Sequence, residues 1–363
     1  MLPQALHELI QISCKLGADR RLVWKGGGNI SIKTDDGAMY IKASGSELGK
    51  MTRSRGWRKV DIAEVVKLLN RLLQSKTTPA KISKGLLNCC DDDLNSQSMP
   101  SIETFFHALL GRCVIHLHPV YLLPYLCSQN GRQLLQTVLK DRYDLQWIPF
   151  RGLGVVTAGQ IQQQIQAGRM DNTSTTVLFL SNHGLIVSCD NTKQAQQVVG
   201  AIIKICRKSL PVLKPVHLMQ YKQLSATSSM IQDVLCIQDT SIMVKPVSCG
   251  LIKMPGGSQP AKEWFKGAIT PEEITYLAGG IVWIEKPDIK VIQKAITRHR
   301  NKTGQTPMAF YVNQQGLVIV AAKKHRSLLQ AVFLFYLQIR SWAMWMKGLK
   351  PLSSRYLTPE GMI

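Results

Sequence analysis

Ile115-His116-Leu117-His118-Pro119, followed far along the chain by Asn182-His183-Gly184, constrains this protein more than any other stretch. Two histidines separated by one residue in an apolar run suit a β-strand, where alternate side chains emerge on one face. Both imidazoles then reach a single point in space. A third histidine, in a turn after the apolar run Val177–Leu180, would supply a third corner of a tetrahedron. Three protein ligands with an open fourth position is the layout of a catalytic zinc rather than a closed structural one. The competing reading is a pair of hydrogen-bonded histidines in a buried strand, and the third histidine favours the metal.

The charge balance bears on the partner. The chain of 363 residues has a net charge of +22, spread as +6 over residues 1–100, +7 over 101–230 and +9 over 231–363. No long Lys/Arg block or basic-aromatic interleaving marks a nucleic-acid groove, so no specific nucleic-acid partner is expected. The densest basic stretch, Lys50–Lys59, is expected to be a solvated loop. A diffuse positive field would draw in an anionic small substrate such as a sugar phosphate. The nine cysteines are scattered without C-x-x-C spacing, as in a cytoplasmic protein with reduced thiols. Cys89-Cys90 before Asp91-Asp92-Asp93 is expected to form a polar surface turn. No secretory signal is evident, and Leu328–Met346 is interrupted by Gln330, Gln338, Arg340 and Ser341, so no membrane span is expected.

Hydrophobic spacing predicts a helix over 2–18 and a strand containing Ile30 and Ile32. After a turn at Asp35-Asp36-Gly37 comes a strand over 39–43, then helices over 60–73 and 104–110. Beyond the histidine strand, residues 120–140 read as helical, 145–149 and 152–156 as extended, and 160–168 as a polar helix. Strands at 177–180 and 185–187 flank His183, and a helix runs over 194–210. Residues 214–262 lose periodicity. A boundary near 215 therefore separates residues 1–215, which carry the metal-binding pattern, from a smaller α/β region at 216–363. There, strand-like Ile281–Ile284, a helix over 291–300, strands over 308–312 and 317–321, and a helix over 328–346 are expected.

Several residues could complete a site. Gly26-Gly27-Gly28-Asn29 lets backbone approach a ligand closely, with amides and the Asn29 side chain able to hold phosphate; the same residues serve a plain turn. Ser44 and Gly45 in Ala43-Ser44-Gly45-Ser46 fit either phosphate oxygens or a turn. Ser101 reads as a helix N-cap with Glu103 in the first turn, or as an anion contact. Glu103 beside a metal could ligate it or move a proton on carbon. His107, four residues on, is expected to pack on its helix. His7, His217, His299 and His325 are assigned no site.

Taken together these pieces resemble the class II aldolase/adducin family. The matching elements are residues 26–31 (GGGNIS), 42–48 (KASGSEL), 100–103 (PSIE), 116–119 (HLHP) and 181–185 (SNHGL), in the family's order. The short gap between Glu103 and His116, and the C-terminal extension, look most like the aldolase part of bifunctional rhamnulose-phosphate aldolase/dehydrogenase proteins. The resemblance implies an α/β fold with a central, mainly antiparallel sheet flanked by helices, and a homo-oligomer. It implies Zn2+ or another divalent metal on His116, His118 and His183, with Glu103 as acid/base. Gly28, Asn29, Ser44, Gly45 and Ser101 would bind the substrate phosphate, and the reaction would be retro-aldol cleavage of a phosphorylated sugar. Epimerases, dehydratases and decarboxylases of the family share the histidines, and an adducin-like interaction module is a non-enzymatic alternative. Ile102 stands where these aldolases usually carry a second serine. The stretch Trp147–Gly154 lacks the tyrosine that many members offer there.

Overall fold

Two short alternating segments, β1 (Asn29–Lys33) and β2 (Ala38–Lys42), pair as an antiparallel hairpin and begin the central sheet of a computed structural model. The structure describes residues 2–75, 78–91, 98–140, 142–170, 175–215, 221–237, 241–247, 253–255, 260–346 and 348–357. The chain forms two units, Met1–Leu126 with Arg132–Ser209, and Cys127–Gly131 with Leu210–Gly361.

In the first unit, helix α1 (Gln4–Gly17) precedes the hairpin. After it come β3 (Trp57–Asp61), α2 (Ile62–Leu73), α3 (Pro79–Asn88), α4 (Thr104–Leu109) and β4 (Cys113–Leu117). The unit continues through α5 (Leu123–Leu126), α6 (Gly131–Leu139), β5 (Gln146–Ile148), α7 (Val155–Gln166), β6 (Thr176–Leu180), β7 (Gly184–Cys189) and α8 (Thr192–Ser209). The strands form one seven-stranded sheet in the order β3-β2-β1-β4-β7-β6-β5, antiparallel except for the β5–β6 pair. Register places Met39, Ile41, Val60, Val114, Leu178 and Ile186 on one face. There they form a core with Leu69 of α2, Leu86 of α3, Phe105 of α4 and Ile161 of α7. The opposite face, with Ile30, Ile32, Ile115 and Leu117, packs against α1 and α8. Burial of both faces explains why β4, β6 and β7 read as continuous apolar runs.

Four expectations require correction here. Lys50–Lys59 is not a loop throughout: Trp57–Asp61 is an edge strand paired with β2, and Arg58 is buried and donates to the Ser98 carbonyl. The following helix therefore starts at Ile62, where the Asp61 carboxylate accepts the Glu64 amide as an N-cap. Residues 152–156 are not extended, because Gly154 adopts φ +53° and launches α7 at Val155. The helical pattern over 120–140 is broken into α5 and α6, and Cys127–Gly131 between them groups with the second unit. Cys89 is buried rather than on a surface turn, and Cys90 bridges to Val60; Asp92, Asp93 and His217 lie outside the described residues.

The second unit contains β8 (Leu213–Pro215), α9 (Tyr221–Leu235), β9 (Ile242–Pro246), β10 (Lys253–Pro255) and α10 (Pro271–Tyr276). It continues with β11 (Val282–Ile284), α11 (Ile289–Thr303), β12 (Ala309–Val312), β13 (Gly316–Ala322) and α12 (Arg326–Trp345). A four-stranded mixed sheet in the order β11-β12-β13-β9 presents Val244, Ile284, Phe310 and Val318 to apolar residues of α9 and α11. Among the described residues no helix is long and apolar enough to cross a membrane, and every described cysteine is a free thiol.

Candidate metal centre

Strand pairing sets the first part of the site. Asn29 of β1 lies directly opposite His116 of β4, so both side chains leave the sheet on one face. His118 sits just beyond the end of β4, where its backbone N–H donates to Leu22 O at 3.0 Å. His183 lies in the turn between β6 and β7, which Asn182 closes with φ +57°. Asparagine tolerates this left-handed conformation better than most side chains.

The three imidazoles converge, with candidate ligand atoms all within 4.8 Å of one another. Ring centroids are 4.6 Å apart for His116–His118, 4.8 Å for His116–His183 and 5.1 Å for His118–His183. His116 Nδ1–H donates to the Leu185 carbonyl at 3.0 Å, which leaves its Nε2 lone pair facing the other two rings. That is how a backbone acceptor fixes the tautomer of a metal-ligating histidine. The Nε2 atoms of His116 and His118 stand 2.9 Å apart. Burial holds His116 well below its ordinary titration range, against the pull of the Glu103 charge. A buried set of imidazoles with a lone pair aimed inward and a carboxylate alongside suits a divalent ion.

Close approach depends on glycine. A Cβ on Gly184 would lie 2.4 Å from Leu117 O, 2.6 Å from His118 Cδ2 and 3.0 Å from His116 Cε1. Gly28, at φ +63°, passes so near β4 that a Cβ there would stand 2.8 Å from His116 O.

Glu103 precedes α4 and places Oε2 3.4 Å from His116 Nε2 and Oε1 3.2 Å from His183 Nε2. Burial opposes its charge, yet the surrounding imidazoles outweigh that cost and hold the carboxyl well below the usual range. Asn29 Nδ2 donates to Glu103 Oε2 at 2.6 Å and to Ser101 Oγ at 3.0 Å. Ser101 Oγ also accepts the Glu103 amide at 3.3 Å.

His107 does more than pack on its helix. Because both Asn29 Nδ2 contacts are acceptors, its Oδ1 must accept, and His107 Nε2–H donates to it. His107 Nδ1 accepts from Ser31 Oγ at 2.7 Å. A chain Ser31–His107–Asn29–Glu103 therefore fixes the orientation of the Asn29 amide. Burial pushes His107 down to about 3, keeping it neutral.

The loops expected at a phosphate are also neighbours in part. Ser44 N–H donates to Met99 O at 2.7 Å, Ser101 N–H to Lys42 O at 3.2 Å, and Lys42 Nζ to Gly26 O at 2.8 Å. Gly45, at φ +73°, approaches Gly26, whose Cβ would lie 3.8 Å from Gly45 Cα. Ile102 turns instead into packing: a Cβ on Gly154 would be 2.7 Å from Ile102 Cγ1. In the tyrosine-free stretch, the Phe150 ring stands edge-on to His183 at 6.5 Å.

A seven-stranded, mainly antiparallel sheet carrying a buried histidine triad beside a carboxylate defines a family as well as a site. Residues 7–210 match the model of the Class II Aldolase and Adducin N-terminal domain, and the chain belongs to that family. The uncharacterized oxidoreductase YuxG of Bacillus subtilis (strain 168) is 26% identical over 212 residues, covering 56% of this chain and 29% of that protein. The chain thus matches less than a third of the length of this curated relative. Among solved structures, the N-terminal class II aldolase domain of a conserved protein from Thermoplasma acidophilum is 22% identical. That match covers 57% of this chain and 94% of that chain, with TM-score 0.48. The L-fuculose-1-phosphate aldolase from Thermus thermophilus is 15% identical, covering 57% of this chain and 94% of that chain, with TM-score 0.34.

Proposed function

We propose that residues 1–215 form a zinc-dependent aldehyde-lyase that cleaves a phosphorylated sugar or related hydroxy-carbonyl compound by retro-aldol chemistry. The observation that carries this reading is the convergence of His116, His118 and His183 beside the Glu103 carboxylate. In this reading the three imidazoles hold Zn2+ or another divalent ion. When bound, the ion supplies Lewis-acid polarisation of a carbonyl and offsets charge developing on oxygen.

Glu103, with Oε2 3.4 Å from His116 Nε2 and Oε1 3.2 Å from His183 Nε2, is placed to take a proton as the base. Once protonated it is the acid that delivers a proton to the carbon whose bond has broken. Asn29 sets the carboxylate's direction, and His107 sets that of Asn29. The Ser44, Gly45 and Ser101 loops, with Gly28 and Asn29, are assigned to the substrate phosphate. The net positive charge favours an anionic substrate. The protein is taken to work as a homo-oligomer in the cytoplasm.

The test is elemental analysis of the full-length protein, followed by a screen of phosphorylated ketoses and hydroxy acids with metal restored. Expected are one divalent ion per chain, aldehyde release from a ketose phosphate, and loss of both in His116→Ala. Carbon dioxide release or epimerisation without aldehyde would replace the reaction while keeping the site. Absence of metal, with His116→Ala unchanged in stability and activity, would leave an interaction module.

A further inference from the structure

The second unit has a cleft of about 440 Å³ along the outer side of β11, between α11 and the 3-10 turn Lys262–Phe265. Strand β11 is an edge of its sheet. Two chemistries meet in this cleft, and its volume falls within the range of small-molecule sites.

The first is an aromatic wall. Trp283 and Tyr311 are register partners on parallel strands. Their rings lie 5.5 Å apart and nearly parallel, at 9°, and Phe265 stacks on Tyr311 at 5.1 Å and 19°. Phe265 and Trp283 line the cleft. The second is positive charge: Lys262, Lys266, Arg298 and Lys302 line it, and no carboxylate of the described residues does. Glu285 outside the cleft pairs with Lys262 at 3.6 Å, whereas Lys266, Arg298 and Lys302 have no ion pair among the described residues. Arg298 and Lys302 are four apart on α11, a helix without a single acid. Like charges at that spacing repel, and an anion between them would remove the repulsion.

The wall is also fixed in place. Arg340, buried, donates to the backbone carbonyls of Trp264 and Gly267, and pairs with buried Glu273 at 2.7 Å. Glu273 in turn accepts the Ile269 amide at 2.7 Å. Such a pair is costly to bury, and here it pins the segment that carries Phe265. A preformed wall reduces the ordering cost of binding.

We infer that this cleft binds a nucleoside phosphate, its base stacked on Trp283, which Phe265 and Tyr311 back, and its phosphate held by Arg298 and Lys302. Isothermal titration of the full-length protein with AMP, ribose 5-phosphate, adenosine and inorganic phosphate tests the inference. AMP should bind at one site per chain and at least about tenfold tighter than ribose 5-phosphate or adenosine, since stacking and charge each contribute. The exposed double variant Arg298→Ala/Lys302→Ala should lose about tenfold or more in AMP affinity. Lys193→Ala/Lys204→Ala, exposed on α8 of the first unit, should stay within about twofold. His116→Ala should bind AMP unchanged, which separates this site from the proposed metal centre. No AMP binding at millimolar concentration, equal affinity for ribose 5-phosphate, equal losses in the two double variants, or loss in His116→Ala would each overturn it.

Discussion

Replacing Gly184 by alanine should damage the proposed metal centre while leaving the backbone conformation legal. Gly184 lacks a left-handed φ, so alanine meets no torsional penalty there and the effect is purely steric. The new methyl would sit 2.4 Å from Leu117 O and 2.6 Å from His118 Cδ2. Ordinary carbon–oxygen contacts lie at about 3.3–3.6 Å, so roughly 1 Å must be found. Leu117 O cannot supply it cheaply, because Leu117 is paired with Leu185 in the β4–β7 ladder. The softer response is rotation of the His118 ring, and then of His116, out of convergence.

Overpacking of this kind costs about 1–3 kcal/mol. If the strain is relieved only when the imidazoles swing away, metal affinity falls by a factor of about 5–150. Competition of the purified variant against a chromophoric zinc chelator measures that factor, and a denaturant titration of the metal-free protein measures folding. Gly200→Ala in α8 is the matched control, since a Cβ there meets nothing within 4 Å. It should bind zinc normally and gain about 0.5–1 kcal/mol in stability. Native zinc affinity in Gly184→Ala would refute the claim that this glycine lets the triad close.

His107→Ala should lower turnover far more than zinc affinity, because it strands Asn29 Oδ1 and Ser31 Oγ without touching a histidine of the triad. The unpaired groups cost about 1–3 kcal/mol, and His107→Gln should recover part of the turnover in a paired metal and kinetic titration. With His107 at about 3 in the folded chain and an ordinary value of 6.5, the unfolded state binds the extra proton between these limits. Stability contributed by this group is therefore present above about pH 6.5 and is lost as pH falls toward 3. Urea titrations across that range should show a shallower pH slope for His107→Gln than for the parent. In the second unit, Arg340→Met should destabilise by about 3–5 kcal/mol, since it leaves Glu273 charged and buried, and a lowered urea midpoint checks this.

The triad was readable in the sequence because strand alternation is a local rule. His116 and His118 are two residues apart, so their common direction needs no knowledge of the rest of the chain. Asn29, Ser101 and Glu103 were readable one by one as candidates, but as a group only through the order of family motifs, because 74 residues separate Asn29 from the carboxylate it holds. His107 carries no such mark: its partners Asn29 and Ser31 lie 78 and 76 residues away. Strand β3 was hidden by Arg58, a charged residue facing the core side of an edge strand. Its buried position is met in part by the Ser98 carbonyl that receives it.

Helix α9 was concealed differently. Its Ser/Thr-rich sequence has weak helical preference, since such hydroxyls compete for backbone partners. In the folded helix Thr227 and Ser228 satisfy theirs on the carbonyls of Gln223 and Leu224, four residues back. Leu224, Ile231 and Leu235 are then left to bury themselves against the sheet. The same logic governs the site. Imidazoles and carboxylate are placed by strands and turns that local patterning can announce. Their convergence depends on backbone passing backbone at Gly28 and Gly184, where the informative property is a missing side chain. A pattern of functional groups therefore identifies the chemistry available to this chain, and the glycines between them decide whether those groups meet.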